Sequence, residues 1–254
     1  MIDAKYLVFV QYVEYLRSLL CLDFGVSVVQ HIPAFDIVAA RIPYTVLLAT
    51  GALIIAVGGG IPAGIAMAVW RGSLLERSLA ALVLTGQSTP TFLSGILLIL
   101  VFGVMLDWLP TSGAGDLKAL VLPSIALGAL SMSTFARMAR ISIIDELGKD
   151  YFRAGRARGL SLAGIVCRHV LRNAAIPVAT IAALEIGNLL AGAVIVETVF
   201  AWPGIGQLAI QSIQSRDFLV VQVIVLLISF VYVVTSLLAD VMYALIDPRI
   251  RLAR

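Results

Sequence analysis

The 254-residue chain is 61% hydrophobic and 13% charged, and its mean hydropathy is +1.03. Soluble domains are about 45–50% apolar and about 25% charged, so this composition excludes a soluble globular protein. The net charge of +3 comes from basic residues beside apolar runs, which is typical of membrane topology and predicts no nucleic-acid partner.

Long apolar runs follow a mixed N-terminal region, residues 1–41, in which we predict a helix near residues 6–20. Five runs cover residues 42–70, 78–106, 119–136, 173–196 and 218–239. A membrane-spanning helix needs about 20 apolar residues. We therefore predict an all-α integral membrane protein with five spanning helices in one transmembrane domain, residues 42–246. Gly and Pro recur inside these runs, which predicts kinked and closely packed helices.

The orientation follows from the positions of Lys and Arg, which are in excess in short cytoplasmic loops. Most of the 18 basic residues lie in the loop after the first run, in residues 137–172 and at the C-terminal end. These regions are therefore predicted to be cytoplasmic, with residues 247–254 as a cytoplasmic tail. The N-terminus and residues 1–41 are predicted to lie outside.

The inner segment, residues 137–172, contains helix formers from Leu147 to Arg158 and predicts a short helix lying along the membrane. Small residues alternate there with long cations. Two glycines in a helix cost about 1 kcal/mol each relative to alanine. Close contact with a partner surface would offset that cost. The alternative is a solvated basic loop held to anionic lipid headgroups, and composition alone does not separate the two.

Several stretches resemble one family of transport proteins. The run "DYFRAGRARGLS" (residues 150–161) resembles the EAA-type signature of importer permeases of the ATP-binding cassette (ABC) class, in the dipeptide/oligopeptide/nickel branch. Ala154-Gly155 stands where that branch has a Thr-Ala pair. The other similar stretches follow in collinear order: "STPTF" (88–92), "DWLPTSG" (107–113), "RHVLRNAAIPV" (168–178), "VETVFAWPGIG" (196–206) and "DPRIR" (247–251).

The resemblance implies a type I importer permease fold whose inner helix is a coupling helix that docks on a separate ATPase. The implied docking residues are Tyr151, Arg153, Ala154, Gly155, Arg156, Ala157, Arg158 and Gly159. The sequence contains no GxxxxGKS or GxxxxGKT pattern. ATP and Mg²⁺ are therefore expected on partner subunits, with no cofactor, metal site or enzymatic activity in this chain.

The resemblance also implies the partners and the location. The expected partners are a second homologous permease subunit in a heterodimer, two ATP-binding cassette ATPase subunits, an external substrate-binding protein and membrane lipid. The expected location is a bacterial or archaeal cytoplasmic (inner) membrane. Dipeptides, oligopeptides, glutathione and nickel chelates all remain open as substrates.

Polar residues in the apolar runs are candidates for the translocation pathway. An ionised carboxylate costs about 2.5–3.5 kcal/mol at the bilayer centre, so Glu185 is expected to face the bundle interior. It is either a pathway residue or a hydrogen-bonded packing residue beside Asn188. The branch more often has an amide at this position, so the carboxylate bears on substrate choice.

Two further features are candidates for the pathway or its gate. The kink at Ser88 and Pro90 either borders the pathway or is simple helix geometry. By resemblance, Glu197, Trp202 and Pro203 belong to an outer gate that receives the binding protein, although Trp202 also suits an interfacial anchor.

The family has six spanning helices, and the first precedes the point that matches the start of this chain. A truncated or misassigned start is the favoured expectation, and a five-span member is the alternative. The competing functions are a secondary transporter without an ATPase and a non-functional truncated permease. A membrane-embedded serine or HExxH enzyme is disfavoured because both histidines, His31 and His169, are predicted to lie outside the bilayer.

Overall fold

Helices make up nearly all of the computed structural model, which describes residues 4–20 and 23–246. The predicted tail, residues 247–254, lies outside the described residues. In chain order the helices are α1 (Ala4–Leu20), α2 (Ala34–Ala39), α3 (Ile42–Val69), α4 (Leu74–Ser88), α5 (Thr91–Leu98), α6 (Leu117–Leu147), α7 (Asp150–Ala157), α8 (Leu162–Ile165), α9 (Leu171–Val199), α10 (Ile205–Gln214) and α11 (Phe218–Ile246). Two π-helical segments, Ile99–Met105 and Val166–Val170, continue α5 and lead into α9.

Four stretches in the described chain are helical, long and apolar enough to cross a membrane, which confirms the all-helical membrane fold. They are Ala34–Val69, Leu117–Leu147, Val166–Leu189 and Phe218–Leu238. The remaining predicted span, residues 78–106, is not one helix: α4 and the α5 segment meet at an angle of 107°. Thr89 is extended there because the ring of Pro90 disfavours helical backbone at the preceding residue.

Helices α3 and α6 are packed backbone to backbone. Every fourth residue on one stripe of α3 is small and buried: Ala52, Ala56, Gly60, Gly64 and Ala68. A Cβ added to Gly60 would lie 2.5 Å from the Met132 carbonyl oxygen, and one on Gly64 would lie 2.5 Å from that of Ala136. Small residues allow this approach of membrane helices, and the close packing predicted from the glycines is confirmed.

Two boundaries differ from the predictions. Helix α6 continues from the predicted end at residue 136 to Leu147. The apolar run marks only the part of the helix inside the bilayer, whereas the helical hydrogen bonding of the backbone continues beyond it. The predicted outer loop, residues 198–217, contains the helix α10, whose buried residues pack with α2 and α11. Both differences add helical structure at the two ends of the membrane helices, where candidate functional residues lie.

Candidate coupling segment and pathway residues

The inner helix α7 spans Asp150–Ala157, shorter than the predicted Leu147–Arg158. Lys149 is extended and separates α7 from α6. At the other end the Leu160 N–H donates to the Gly155 carbonyl (3.2 Å) and the Gly159 N–H to that of Arg156 (3.0 Å). These are the two hydrogen bonds of a Schellman motif, which ends a helix at a residue with positive φ.

Gly159 is that residue, with φ of +78°. A Cβ added to it would meet no atom within 4 Å. Its role in the described chain is therefore to end α7 in a left-handed conformation, which costs other residues energy. Gly159 lies beyond the end of α7, so it carries no helix penalty that needs to be offset, and its implied contact with an ATPase stays a prediction.

The predicted docking residues divide between two faces of α7. Tyr151 and Gly155 face the membrane domain, and a Cβ on Gly155 would lie 3.1 Å from Ile165 Cδ1. The side chains that face away are exposed: Arg153, Ala154, Arg156 and Ala157, followed by Arg158. These two alanines and three arginines form the exposed surface of α7 that points away from the membrane helices, which we call the α7 outer face.

A buried carboxylate that the sequence interpretation missed lies under α7. Glu146, 8% exposed in the last turn of α6, accepts hydrogen bonds from Lys149 Nζ, Tyr151 Oη (2.7 Å) and Asn173 Nδ2 (3.2 Å). Burial, together with the hydrogen bond to Glu146, raises the pKa of Tyr151 to about 12. An acid at the C-terminus of a helix interacts unfavourably with the helix dipole. The position of Glu146 at the end of α6 was therefore the signal, available in the sequence, that other groups in the fold hold its carboxylate.

The C-terminal end of α9 holds a second buried carboxylate, Glu197, which has 0% exposure. Its Oε2 accepts from the backbone N–H groups of Gly206 (2.7 Å) and Gln207 (3.0 Å), and its Oε1 accepts from Thr45 Oγ1 (2.7 Å). The same Thr45 hydroxyl accepts from the Ile205 N–H (2.8 Å). Glu197 therefore caps the N-terminus of α10 and joins it to α3, a role favoured by the helix dipole.

The segment before α10 is shaped by close contacts with this carboxylate. A Cβ on Gly204 would lie 2.1 Å from Glu197 Oε1, and one on Gly206 would lie 2.5 Å from Val194 Cα. Trp202 is 1% exposed and its Nε1 donates to the Tyr44 carbonyl (2.9 Å). The membrane-interface alternative for Trp202 does not fit this burial.

Pro203 and Arg41 lie at the edge of the same arrangement. The Pro203 carbonyl accepts from Arg41 Nη1 at 3.4 Å, and the side chain of Pro203 is half-buried. Glu197, Trp202 and Pro203 are thus held in one region by contacts with α3 and the residue preceding it. Their role in a gate stays a prediction.

Glu185 lies in α9 and is 8% exposed. It accepts from Ser131 Oγ of α6 at 2.5 Å and from Asn188 Nδ2 at 3.3 Å. These contacts match the hydrogen-bonded packing arrangement, one of the two alternatives for Glu185. Asn188 is itself exposed and lines an apolar cavity of about 440 Å³ between α3, α9, α10 and α11.

The two remaining pathway candidates, Ser88 and Pro90, are exposed at the bend between α4 and α5. The bend does not bring them together with Glu185 or Glu197 in any described hydrogen bond. Helix α4 is fastened to α6 instead through Glu76, whose Oε1 accepts from Arg140 Nη2 at 2.5 Å. Among the described residues, no group of three His, Cys, Asp or Glu could hold a metal ion.

Comparison with known proteins gives the chain its family. The model of the binding-protein-dependent transport system inner membrane component matches residues 60–252. The glutathione transport system permease protein GsiC of Salmonella typhimurium is 44% identical over 242 residues, which are 95% of this chain and 79% of that protein. GsiC of Escherichia coli K12 is 42% identical over 241 residues, with the same coverage.

Solved structures share the fold. A chain of the MetNI methionine ABC transporter, from a study of its inward-facing conformations, superposes with a TM-score of 0.71 over 84% of this chain and 97% of its own, at 18% identity. An amino acid ABC transporter solved with histidines gives a TM-score of 0.60 at 19% identity, over 82% of this chain and 92% of its own. The chain belongs to the binding-protein-dependent transport system inner membrane components, and it is a multi-pass permease subunit of an ABC importer.

Proposed function

We propose that this chain is one of two homologous permease subunits of an ATP-driven importer for glutathione or a related short peptide. The observation that carries the substrate class is the 44% identity, across 95% of this chain, to a glutathione transport system permease. Two ATPase subunits and an external binding protein complete the assembly. ATP and Mg²⁺ are held by the ATPase subunits.

The α7 outer face supports docking on an ATPase. Ala154 and Ala157 leave room for a partner surface to come close, and the three flanking arginines can pair with acidic groups by charge-assisted hydrogen bonds. Arg153 approaches Asp150 only at 3.7 Å, with side chains 76% and 99% exposed. An exposed pair of this kind contributes about 0–1 kcal/mol, so Arg153 can exchange it for an ATPase carboxylate at little cost.

Transport then follows from rigid-body motion. When the ATPase subunits close on ATP, each of their grooves carries the docked α7 with it, and the permease helices rock between inward-facing and outward-facing states. The N-terminus and α10 face outside and the C-terminus faces the cytoplasm, as the distribution of Lys and Arg predicts. The binding protein delivers substrate to the outer surface formed by α10 and the segment that precedes it.

Cross-linking tests the docking. In a background without Cys21 and Cys167, Ala157→Cys should form a disulfide with a cysteine placed in the groove of the cognate ATPase, whereas a cysteine replacing exposed Leu82 in α4 should not. Equal cross-linking at both positions would refute docking through the α7 outer face.

Uptake into vesicles tests the substrate. The complete importer with its binding protein should take up labelled glutathione with ATP, and unlabelled glutathione should compete at lower concentration than a nickel chelate or a pentapeptide. Uptake that continues without the ATPase subunits would favour a secondary transporter. Stronger competition by nickel chelates or longer peptides would overturn the substrate class.

A further inference from the structure

The short helix α7 needs support from the rest of the protein to stay helical. Isolated helices shorter than about 12–15 residues are marginal in water, and α7 has 8 residues. Its one exposed ion pair, between Arg153 and Asp150, adds little. Transmission of a pull on α7 therefore depends on how its inward face is fastened to the membrane helices.

Apolar contacts supply part of this support. Tyr151 and Phe152 pack against a buried cluster formed by α3, α6, α8, α9 and the π-helical segment before α9. The fully buried members include Ile143, Ile165 and Val170. Apolar contact is non-directional, so it holds α7 against the domain but fixes its orientation less sharply than hydrogen bonds do.

Glu146 supplies directional contacts at the same place. Its two carboxylate oxygens accept from three donors that belong to different parts of the fold: Lys149 in the α6–α7 connection, Tyr151 in α7 and Asn173 in α9. Tyr151 and Asn173 share one oxygen, so α7 and α9 meet at a single atom of α6. Hydrogen bonds to a buried charged group are strong and geometrically specific.

Burial of this carboxylate would be costly without such partners. A buried ion pair adds little net stability over apolar residues, although removing one partner is strongly destabilising. The arrangement fits a device for conformational specificity, because it is satisfied in only one orientation of α7 relative to α6 and α9.

We infer that Glu146 is the positioning residue that makes α7, α6 and α9 move as one body when an ATPase pulls on α7. This inference rests on the proposed docking of the α7 outer face. Glu146 does not contact the ATPase or the substrate; it acts through the orientation of α7. Its loss leaves docking in place and lets α7 turn without moving the membrane helices.

The test uses the complete importer with its ATPase subunits and binding protein in vesicles. Three quantities are measured together: the Ala157→Cys cross-link to the ATPase, the rate of ATP hydrolysis, and substrate uptake. The ratio of the last two, which is the ATP hydrolysed per substrate molecule taken up, reports coupling. A fault that merely lowers the amount of folded importer reduces hydrolysis and uptake together and leaves this ratio unchanged.

The variant Glu146→Ala should keep the cross-link and raise the ratio by about tenfold, within the range seen when residues of a coupling network are removed. Glu146→Gln keeps an oxygen for Tyr151 and Asn173 and should raise it less. Tyr151→Phe removes one donor and should give a similar small increase if Glu146→Ala fails to fold. Asp145→Asn, an exposed acid one residue earlier, is the matched control and should not change the ratio.

The possible results separate this inference from the proposed function. A wild-type ratio in Glu146→Ala, or in both milder variants if that one does not fold, would overturn the inference. Loss of the cross-link in the Glu146 variants would also overturn it, because Glu146 would then be needed for docking itself. Failure of the cross-link in the unsubstituted chain would overturn the docking on which the inference rests.

Discussion

Replacing Glu197 with alanine removes the acceptor of three hydrogen bonds at the C-terminal end of α9. The Gly206 N–H would be left buried without a partner, whereas Gln207 is half-buried and can reach water, and the Thr45 hydroxyl can turn. An unsatisfied buried donor costs about 1–3 kcal/mol. Together with the partial loss at the other two donors, we expect local opening of the α10 N-terminus to become about 3 kcal/mol easier.

Amide hydrogen exchange measures this opening directly, since local unfolding controls exchange of protected amides. A change of about 3 kcal/mol corresponds to about a 100-fold increase in exchange at Gly206 and Gln207. Glu197→Gln keeps an oxygen for both amides and loses mainly the acceptor for Thr45, so about 1 kcal/mol and a roughly fivefold increase are expected. Gln211→Ala, on the exposed face of α10, is the control and should exchange as the wild type does.

The two substitutions also distinguish a structural capping role from a mere requirement for negative charge. If both Glu197 variants exchange alike at these amides, charge rather than hydrogen-bond geometry holds α10. If Glu197→Ala exchanges at the wild-type rate, the carboxylate does not hold the α10 N-terminus, and the explanation of the "PGIG" stretch by close contact with it is refuted.

Three other changes test the packing and the inner helix. Gly60→Ala would place a Cβ 2.5 Å from the Met132 carbonyl and should lower stability by about 1–3 kcal/mol, measured by thermal unfolding in detergent. Gly58→Ala is the control, because its Cβ would meet nothing within 4 Å. Equal losses of stability in the two variants would contradict the α3–α6 packing. Gly159→Ala should cost about 1–2 kcal/mol because of the positive φ, seen as faster tryptic cleavage in α7, with a smaller effect for Gly159→Asn. The pKa of Tyr151 is raised from 10.0 to about 12, so its contribution to stability is complete below pH 10 and is lost as the pH rises toward 12. Subtracting the tyrosinate absorbance of Tyr151→Phe from that of the wild type should isolate this titration. A midpoint near 10 would refute the buried hydrogen bond.

Much of the inner segment could be predicted because its signals are local. The run of helix formers from Leu147 to Arg158 placed α7 to within three residues. The division of its residues into two faces was not predicted, because Gly155 contacts Ile165 only after the chain turns back toward α9. A list of docking residues drawn from a motif therefore combined exposed arginines with residues that hold α7 in place.

The candidate pathway shows the same limit. Composition located Glu185 in an apolar run and predicted that it faces inward, which its burial matches. Its partner Ser131 comes from α6, and nothing in either run identifies the pair. Glu146 was missed altogether, since its partners lie in α7, in α9 and in the α6–α7 connection. The only signal in the sequence was the position of an acid at the end of a helix.

The sequence by itself determined the membrane class, the approximate positions of most long helices and the family. These follow from local physics, because a chain in lipid must satisfy its backbone hydrogen bonds within each helix, and about 20 apolar residues are needed to cross. Only the tertiary structure decided which polar groups meet. Glu197 and Thr45 are 152 residues apart, and they are buried together where Gly204 and Gly206 let the start of α10 pack directly on Glu197 and Val194 of α9.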